Sequence, residues 1–313
     1  MQKYLSCLLF PLLFLSCKQG EESITGVQHI TECRQMAAFI QSTGFDKKRS
    51  AFSTSERRTK GLALVEFPLS AQMQKRIYQH PSWKIAGGLG PIVITEDGSV
   101  YVAPIPIVNI FENKPEQQNT IYKVDPVSGE MKAFIELPRT KEPSPENPYG
   151  ILGLAYDCET GILFASTVSG STRADEVGRI YSIQIKDKAK VIDQIDNIDA
   201  MGLELVYFNE KKCLFFGEAR RSNIFSVNID EDGQFKSKPV FQLNLTGFGP
   251  RGDDKARKLR FDKSGNLVVF GVEFNYNLIA PSEKQETIYS FQYNITSQKW
   301  EKLNKSPVMG AEE

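Results

Sequence analysis

Histidine is almost missing from this chain: His29 and His80 are the only two in 313 residues. A His-rich metal centre is therefore excluded as an expectation, and a Ser-His-Asp arrangement is a poor one, because each needs imidazoles brought to a fixed point. A surplus of charge is missing too. Lys+Arg and Asp+Glu both number 38, so the formal net charge is zero. Such a chain has no basic field or stripe for phosphate backbones, and no nucleic-acid partner is expected. Long apolar runs are also lacking. Leu5 to Leu15, interrupted by Pro11 and preceded by Lys3, is too short to span a bilayer and has signal-peptide dimensions. Cysteine is scarce: Cys7 falls in that leader, Cys17 just after it, and Cys33, Cys158 and Cys213 remain. Their spacing fits no zinc pattern, and at most one disulfide can form among the three. Cys213 sits in an apolar strand and reads as a small core residue.

What is present is a short phrase that returns. Thr120-Ile121-Tyr122-Lys123-Val124 reads as a half-buried strand and recurs as Arg179–Ile183, Asn223–Val227 and Thr287–Phe291, with a fainter copy at Gly61–Val65. Upstream of each copy lies a strand, a tight turn and a second strand. The pairs are Thr43–Asp46 with Ala51–Ser53, Ile92–Ile94 with Val100–Val102, Leu154–Asp157 with Ile162–Phe164, Leu205–Phe208 with Cys213–Phe216, and Leu259–Asp262 with Leu267–Phe270. Gly98, Gly161 and Gly265 supply the positive φ such hairpins require. The turns at Lys47–Arg49 and Asn209–Lys212 lack glycine and are marked only by polarity. A weaker fourth strand follows each phrase: Lys75–His80, Met131–Leu137, Lys190–Ile195, Pro239–Leu245 and Lys299–Leu303. From Tyr122 to Tyr181 is 59 residues, to Phe225 a further 44, and to Tyr289 a further 64. Four-stranded antiparallel units at roughly 40–50-residue spacing predict an all-β β-propeller. Five blades are visible; a sixth remains open if the stretch before residue 34 or 138–150 hides one. The inner strands are the most apolar and the outermost carry the charges, as a radial blade requires. The expected organisation is a signal peptide over 1–16, a polar tether over 17–33, the propeller over 34–304 and a polar tail over 305–313.

Phe14-Leu15-Ser16-Cys17, followed at once by Lys18-Gln19-Gly20-Glu21-Glu22, resembles the lipobox of bacterial lipoproteins, with Phe14 where Leu is usual. That resemblance implies cleavage before Cys17, lipidation of Cys17, and attachment to a membrane of the bacterial cell envelope, such as the periplasmic or surface face of the outer membrane. Several acyl chains give durable anchoring, since each buried CH₂ contributes about 0.8 kcal/mol. The repeat style across 38–303 is similar to the six-bladed propellers of the gluconolactonase and regucalcin group, and more loosely to NHL-repeat proteins. The lactonase resemblance implies one divalent cation, Ca²⁺ or Zn²⁺, at the channel mouth, held by Glu, Asn and Asp at the starts of the innermost strands. Here those starts read Gly90-Pro91, Ile151-Leu152-Gly153, Met201-Gly202-Leu203-Glu204 and Arg257-Lys258-Leu259. Only Glu204 among them is a plausible oxygen ligand, so the family's ligand set departs from the pattern here.

The links from second to third strand and between blades emerge on one face, and several are long: Pro104–Asn119, Thr167–Gly178, Glu273–Glu286, Pro138–Gly150 and Thr246–Lys258. Functional residues gather on such loops. The rim candidates for ligand binding are Glu56, Arg57, Arg58, Glu218, Arg220, Arg221, Arg251, Asp253, Asp254 and Glu273. Arginine forks bind carboxylate or phosphate in bidentate fashion, so a small anionic ligand or a protein partner is expected there, with the bilayer as a further partner through the anchor. Mutual salt-bridging between loops is the competing reading of the same charges. Lys258-Leu259-Arg260 reads as a strand with outward charge. The leading expectation is a non-catalytic binding propeller. The alternative is a metal-dependent lactonase- or esterase-type hydrolase in which Glu204 holds the cation, aided by Glu218, Asp253 or Asp254.

Overall fold

The structure, a computed structural model, describes residues 26–30, 33–56, 58–70, 72–106, 115–141, 144, 146–278 and 286–303. Five antiparallel sheets form a five-bladed β-propeller. Blade 1 holds β2 (Ser50–Ser53), β3 (Ala63–Glu66) and β4 (Arg76–Tyr78). Blade 2 holds β5 (Leu89–Ile94), β6 (Val100–Pro104), β7 (Thr120–Val124) and β8 (Met131–Glu136). Blade 3 holds β9 (Ile151–Asp157), β10 (Ile162–Thr167), β11 (Arg179–Gln184) and β12 (Lys190–Asp196). Blade 4 holds β13 (Ala200–Phe208), β14 (Lys211–Glu218), β15 (Asn223–Asn228) and β16 (Val240–Asn244). Blade 5 holds β17 (Lys255–Phe261), β18 (Leu267–Val272), β19 (Thr287–Asn294) and β20 (Lys299–Lys302). A two-residue strand, β1 (Val27–Gln28), adds to the inner edge of blade 4.

The recurring phrase is the third strand of every blade. Tyr122, Tyr181, Phe225 and Tyr289 stand opposite Val102, Ala165, Phe216 and Val269 of the second strands. Each ring turns toward the preceding blade, so the four anchors are equivalent. Tyr122 joins the core between blades 1 and 2, Tyr181 that between 2 and 3, Phe225 packs on that between 3 and 4, and Tyr289 joins that between 4 and 5. Burial does not fall steadily from the channel outward. In blades 2 to 5 the second strands are the most buried, β6 and β10 along their whole length, whereas β5 is half-buried beyond Leu89 and β9 is half-buried at Leu152 and Tyr156. A second strand has neighbours on both edges and both faces; an innermost strand has one edge on the open channel.

Blade 1 departs from the repeat. Thr43–Asp46, expected as its first strand, is not one: Ala38–Thr43 is a 3-10 helix closed by Gly44 at φ 70°. Lys47–Arg49 is a second 3-10 turn, with the Asp46 side chain accepting from the Lys48 backbone N–H as N-cap. The other glycine-free turn keeps its hairpin. Asn209 and Glu210 both adopt positive φ, 47° and 65°, as a two-residue turn joining right-twisted strands demands.

Residues 26–30 and 33–39 are part of the fold rather than free tether. The Gly26 carbonyl accepts from Asn209 N (2.8 Å), and Val27 and Gln28 pair with Phe208 and Tyr207. His29 Nε2 meets the Asp262 carbonyl at 2.8 Å, and Cys33 forms a disulfide with Cys158 in the β9–β10 turn. Gln35 N then donates to Thr95 O, and Phe39 N to Pro126 O. One run thus visits the hairpin ends of blades 4, 5, 3 and 2 before entering blade 1. Cys213 is the remaining described cysteine; it is buried, and burial pushes its thiol up to about 11.

Candidate functional site on the looped face

Near its upper end each complete innermost strand carries a register irregularity. Gly90-Pro91 in β5, Leu152 in β9, Gly202 in β13 and Arg257 in β17 are extra residues against the second strand. Bulges re-aim side chains at the rim of a sheet. These four fall on the strand starts that the lactonase resemblance singled out. Gly202 has φ +26°, and a Cβ there would lie 2.5 Å from the Arg257 carbonyl, so the two bulges nest backbone to backbone.

On the blade 3–5 side the mouth is walled by one charge cluster. Asp199, fully buried, immediately precedes β13. It accepts from the hydroxyls of Ser171 and Tyr276, from Gly178 N at 3.1 Å and from Arg220 at 3.3 Å. Arg220 also donates to the carbonyls of Thr172 (2.6 Å), Arg173 and Asp175 (3.1 Å). Its guanidinium therefore ties the β10–β11 loop to blade 4 and to the loop after β18. Burial, and then the bond to Asp199, raises the Tyr276 pKa, so this hydroxyl stays a donor. Over this wall, Phe274 and Tyr276 reach across blade 4 to Tyr149 at the approach to blade 3; the Tyr149 and Phe274 ring centroids are 5.3 Å apart. Val168, Met201 and Ala219 are buried beneath. A cavity of about 240 Å³ opens beside them, lined by Arg173, Ala219, Arg220, Phe274, Asn275 and Tyr276.

A second, equivalent latch holds blade 5. Asp254 is fully buried and immediately precedes β17, as Asp199 precedes β13. It accepts from Arg251 and from Tyr289 Oη at 2.6 Å. Burial raises its pKa, but the Arg251 and Tyr289 hydrogen bonds more than offset that and leave it below the ordinary value. Arg251 continues to Gly271 O (3.0 Å) and Thr287 Oγ1 (2.8 Å). The repeated Asp before an innermost strand was a legible signal for this pair. Asp199, Tyr276, Phe274 and Tyr149 nevertheless escaped the sequence reading, because nothing local marks which loop crosses to which blade.

The remaining candidates lie apart. Glu56, 8% exposed, accepts from Lys75 Nζ at 2.6 Å and from Arg58 at 3.1 Å. The Lys75 hydrogen bond first, then the Arg58 backbone N–H, hold its pKa down to about 2. Glu218 accepts from Asn223 at 2.7 Å and faces Arg221 at 3.7 Å. Asp253 and Glu273 are exposed. Arg57 and Cys17 lie outside the described residues. Each described rim arginine is matched to an acid: Arg58 to Glu56, Arg220 to Asp199, Arg221 to Glu218 and Arg251 to Asp254. Glu204, half-buried on β13, contributes a favourable charge to Lys258 of the neighbouring innermost strand. Among the described residues no group of three or more His, Cys, Asp or Glu converges as a metal centre.

No family model matches the chain, and no curated protein does. Among solved structures, a glucose dehydrogenase is similar over 80% of this chain and 79% of that chain, at 13% identity and a TM-score of 0.41. A likeness of that size assigns neither family nor activity.

Proposed function

We propose that this chain is a lipid-anchored, extracytoplasmic propeller that recognises a ligand or protein partner through its looped face and performs no catalysis there. The observation that carries the binding half is the preformed cavity beside Phe274 and Tyr276, where aromatic rings and the Arg173 side chain stand on a wall locked by Asp199 and Arg220. Rigid aromatic surface with a few fixed polar groups suits recognition, since little side-chain freedom is lost on binding. The Cys33–Cys158 disulfide supports an oxidising compartment. The anchor rests on Leu15-Ser16-Cys17.

Two measurements test the halves separately. Labelling cells with a fatty-acid analogue should mark the wild type and leave Cys17→Ala unmarked; equal incorporation removes the anchor. A photo-crosslinking amino acid at Asn275 should yield adducts in cells, whereas the same probe at Val127, exposed in the β7–β8 turn, should not. Adducts from Val127 alone would move the binding surface to the opposite face. Metal analysis of the purified chain with and without chelator addresses the hydrolase reading: one tightly held Ca²⁺ or Zn²⁺ per chain would restore it.

A further inference from the structure

Blade 5 has one face that nothing described so far uses. On the other face Leu259, Phe261, Leu267, Val269, Tyr289 and Phe291 join the core shared with blade 4. Strand alternation turns Lys258, Arg260, Val268, Phe270 and Ser290 the opposite way. Lys258 stands directly across from Phe270, and Arg260 across from Val268. Both cations lean over the same ring: Lys258 Nζ is 5.6 Å and Arg260 Cζ 5.9 Å from the Phe270 centroid.

Three observations single this face out. Among the described residues, neither Lys258 nor Arg260 has a carboxylate within 4 Å, whereas the rim arginines named above all do. Both side chains are exposed, while the floor beneath them is closed: Val268 and Phe270 are each 7% exposed. Ser290, 5% exposed and directly opposite Val268, has a buried hydroxyl oxygen with no hydrogen-bond partner among the described residues. Two like charges are thus held together over one apolar floor with an unpartnered hydroxyl beside them. Burial of its ammonium lowers the Lys258 pKa and the charge of Arg260 lowers it further; Glu286 and Glu204, both too far for a close ion pair, offset only part of that. A bound anion would offset the rest. Around the ring, the face of blade 1 turned away from blade 2 carries Ala51, Ser53, Ala63 and Val65.

We propose that the inner part of this face of blade 5 is a binding site for a small organic anion, with Lys258 and Arg260 taking its carboxylate or phosphate group and Phe270 underlying its carbon skeleton. Arg260 offers a planar fork and Lys258 a point charge, so a bidentate oxyanion with a second oxygen toward Lys258 satisfies both. The site is separate from the cavity beside Phe274, and either can fail without the other.

Calorimetric titration of the full chain at low salt with citrate, and separately with inorganic phosphate, tests it. Saturable binding is expected, weakened by about tenfold or more in Lys258→Gln and in Arg260→Gln and unchanged in Lys132→Gln, an exposed lysine on β8. Tighter citrate assigns a carboxylate ligand; tighter phosphate assigns a phosphate group; both leave the site standing. Circular dichroism melts of the two Gln variants should match the wild type, so that lost binding is not lost folding. The proposal is overturned if neither anion saturates up to on the order of 10 mM, or if both Gln variants bind as well as the wild type. It is also overturned if binding appears only in the Glu312→Gln/Glu313→Gln variant, because the chain's own acidic end would then be the occupant.

Discussion

On the side of blade 5 that meets blade 4, Phe261, Tyr293 and Trp300 interlock with Phe208 and Phe215 at centroid distances of 4.8 to 6.2 Å. Trp300 Nε1 closes the seam on Gln242 Oε1 at 3.0 Å. On the other side, two cations lie over the single ring of Phe270. The hydrogen-bond ladder is common to both faces, so the ladder does not decide which face is structural. Aromatic area removed from water decides it, since each ring buries about 150–250 Å². A face whose two cations make no close ion pair among the described residues contributes less to cohesion.

The largest expected effect breaks the aromatic side. Phe215→Ala, at a fully buried position, should cost about 3–5 kcal/mol by urea denaturation. Phe270→Ala should cost less, about 2–3 kcal/mol, because two charged side chains rather than further aromatic rings lie over its face. Equal losses would mean that both faces are packed core and would erase the distinction. The same contrast holds between adjacent arginines of the rim. Arg220→Ala strips the buried Asp199 of its cation and should cost about 3 kcal/mol. Arg221→Ala, with the side chain 73% exposed, should stay within about 0.5 kcal/mol. The smallest effect sharpens the contrast at one carboxylate. Glu56 is held down to about 2, below its ordinary 4.5, so its contribution to stability is present above pH 4.5 and is lost as pH falls through about 2. Lys75→Ala should move the Glu56 titration, followed by carboxyl ¹³C shifts, back toward the ordinary value. An unmoved midpoint would show that Lys75 is not the main cause.

Much of the fold was legible because a propeller repeats the same burial problem in each blade. A third-strand ring facing the preceding blade must recur, and Tyr122, Tyr181, Phe225 and Tyr289 do. Blade 1 escaped because Thr43–Asp46 has strand-like spacing but is held by an N-cap at Asp46 and a left-handed Gly44, which local competition decided for a 3-10 helix. The site was less legible. Arg220 and Arg221 look alike in sequence, yet one is anchored by partners 21 to 56 positions away and the other is not. Lys258 and Arg260 were read as outward charges on a strand, which is correct; that they share one ring is visible only when β18 lies beside them. Cys33 and Cys158 are 125 positions apart, and no spacing rule pairs them.

The run from Gly26 to Phe39 also fixes how the molecule would bear load. A pull on the chain ahead of Gly26 does not first peel away blade 1, the thinnest sheet. It meets the short ladder between Val27–Gln28 and the inner strand of blade 4, then the covalent link from Cys33 to Cys158 in blade 3. Tension is delivered to the hub of the ring, where several sheets share it, and the looped face on the far side stays undistorted. Blade 1, three strands wide, is shielded from traction by a sulfur bridge placed seventeen residues upstream of its first strand residue, Ser50.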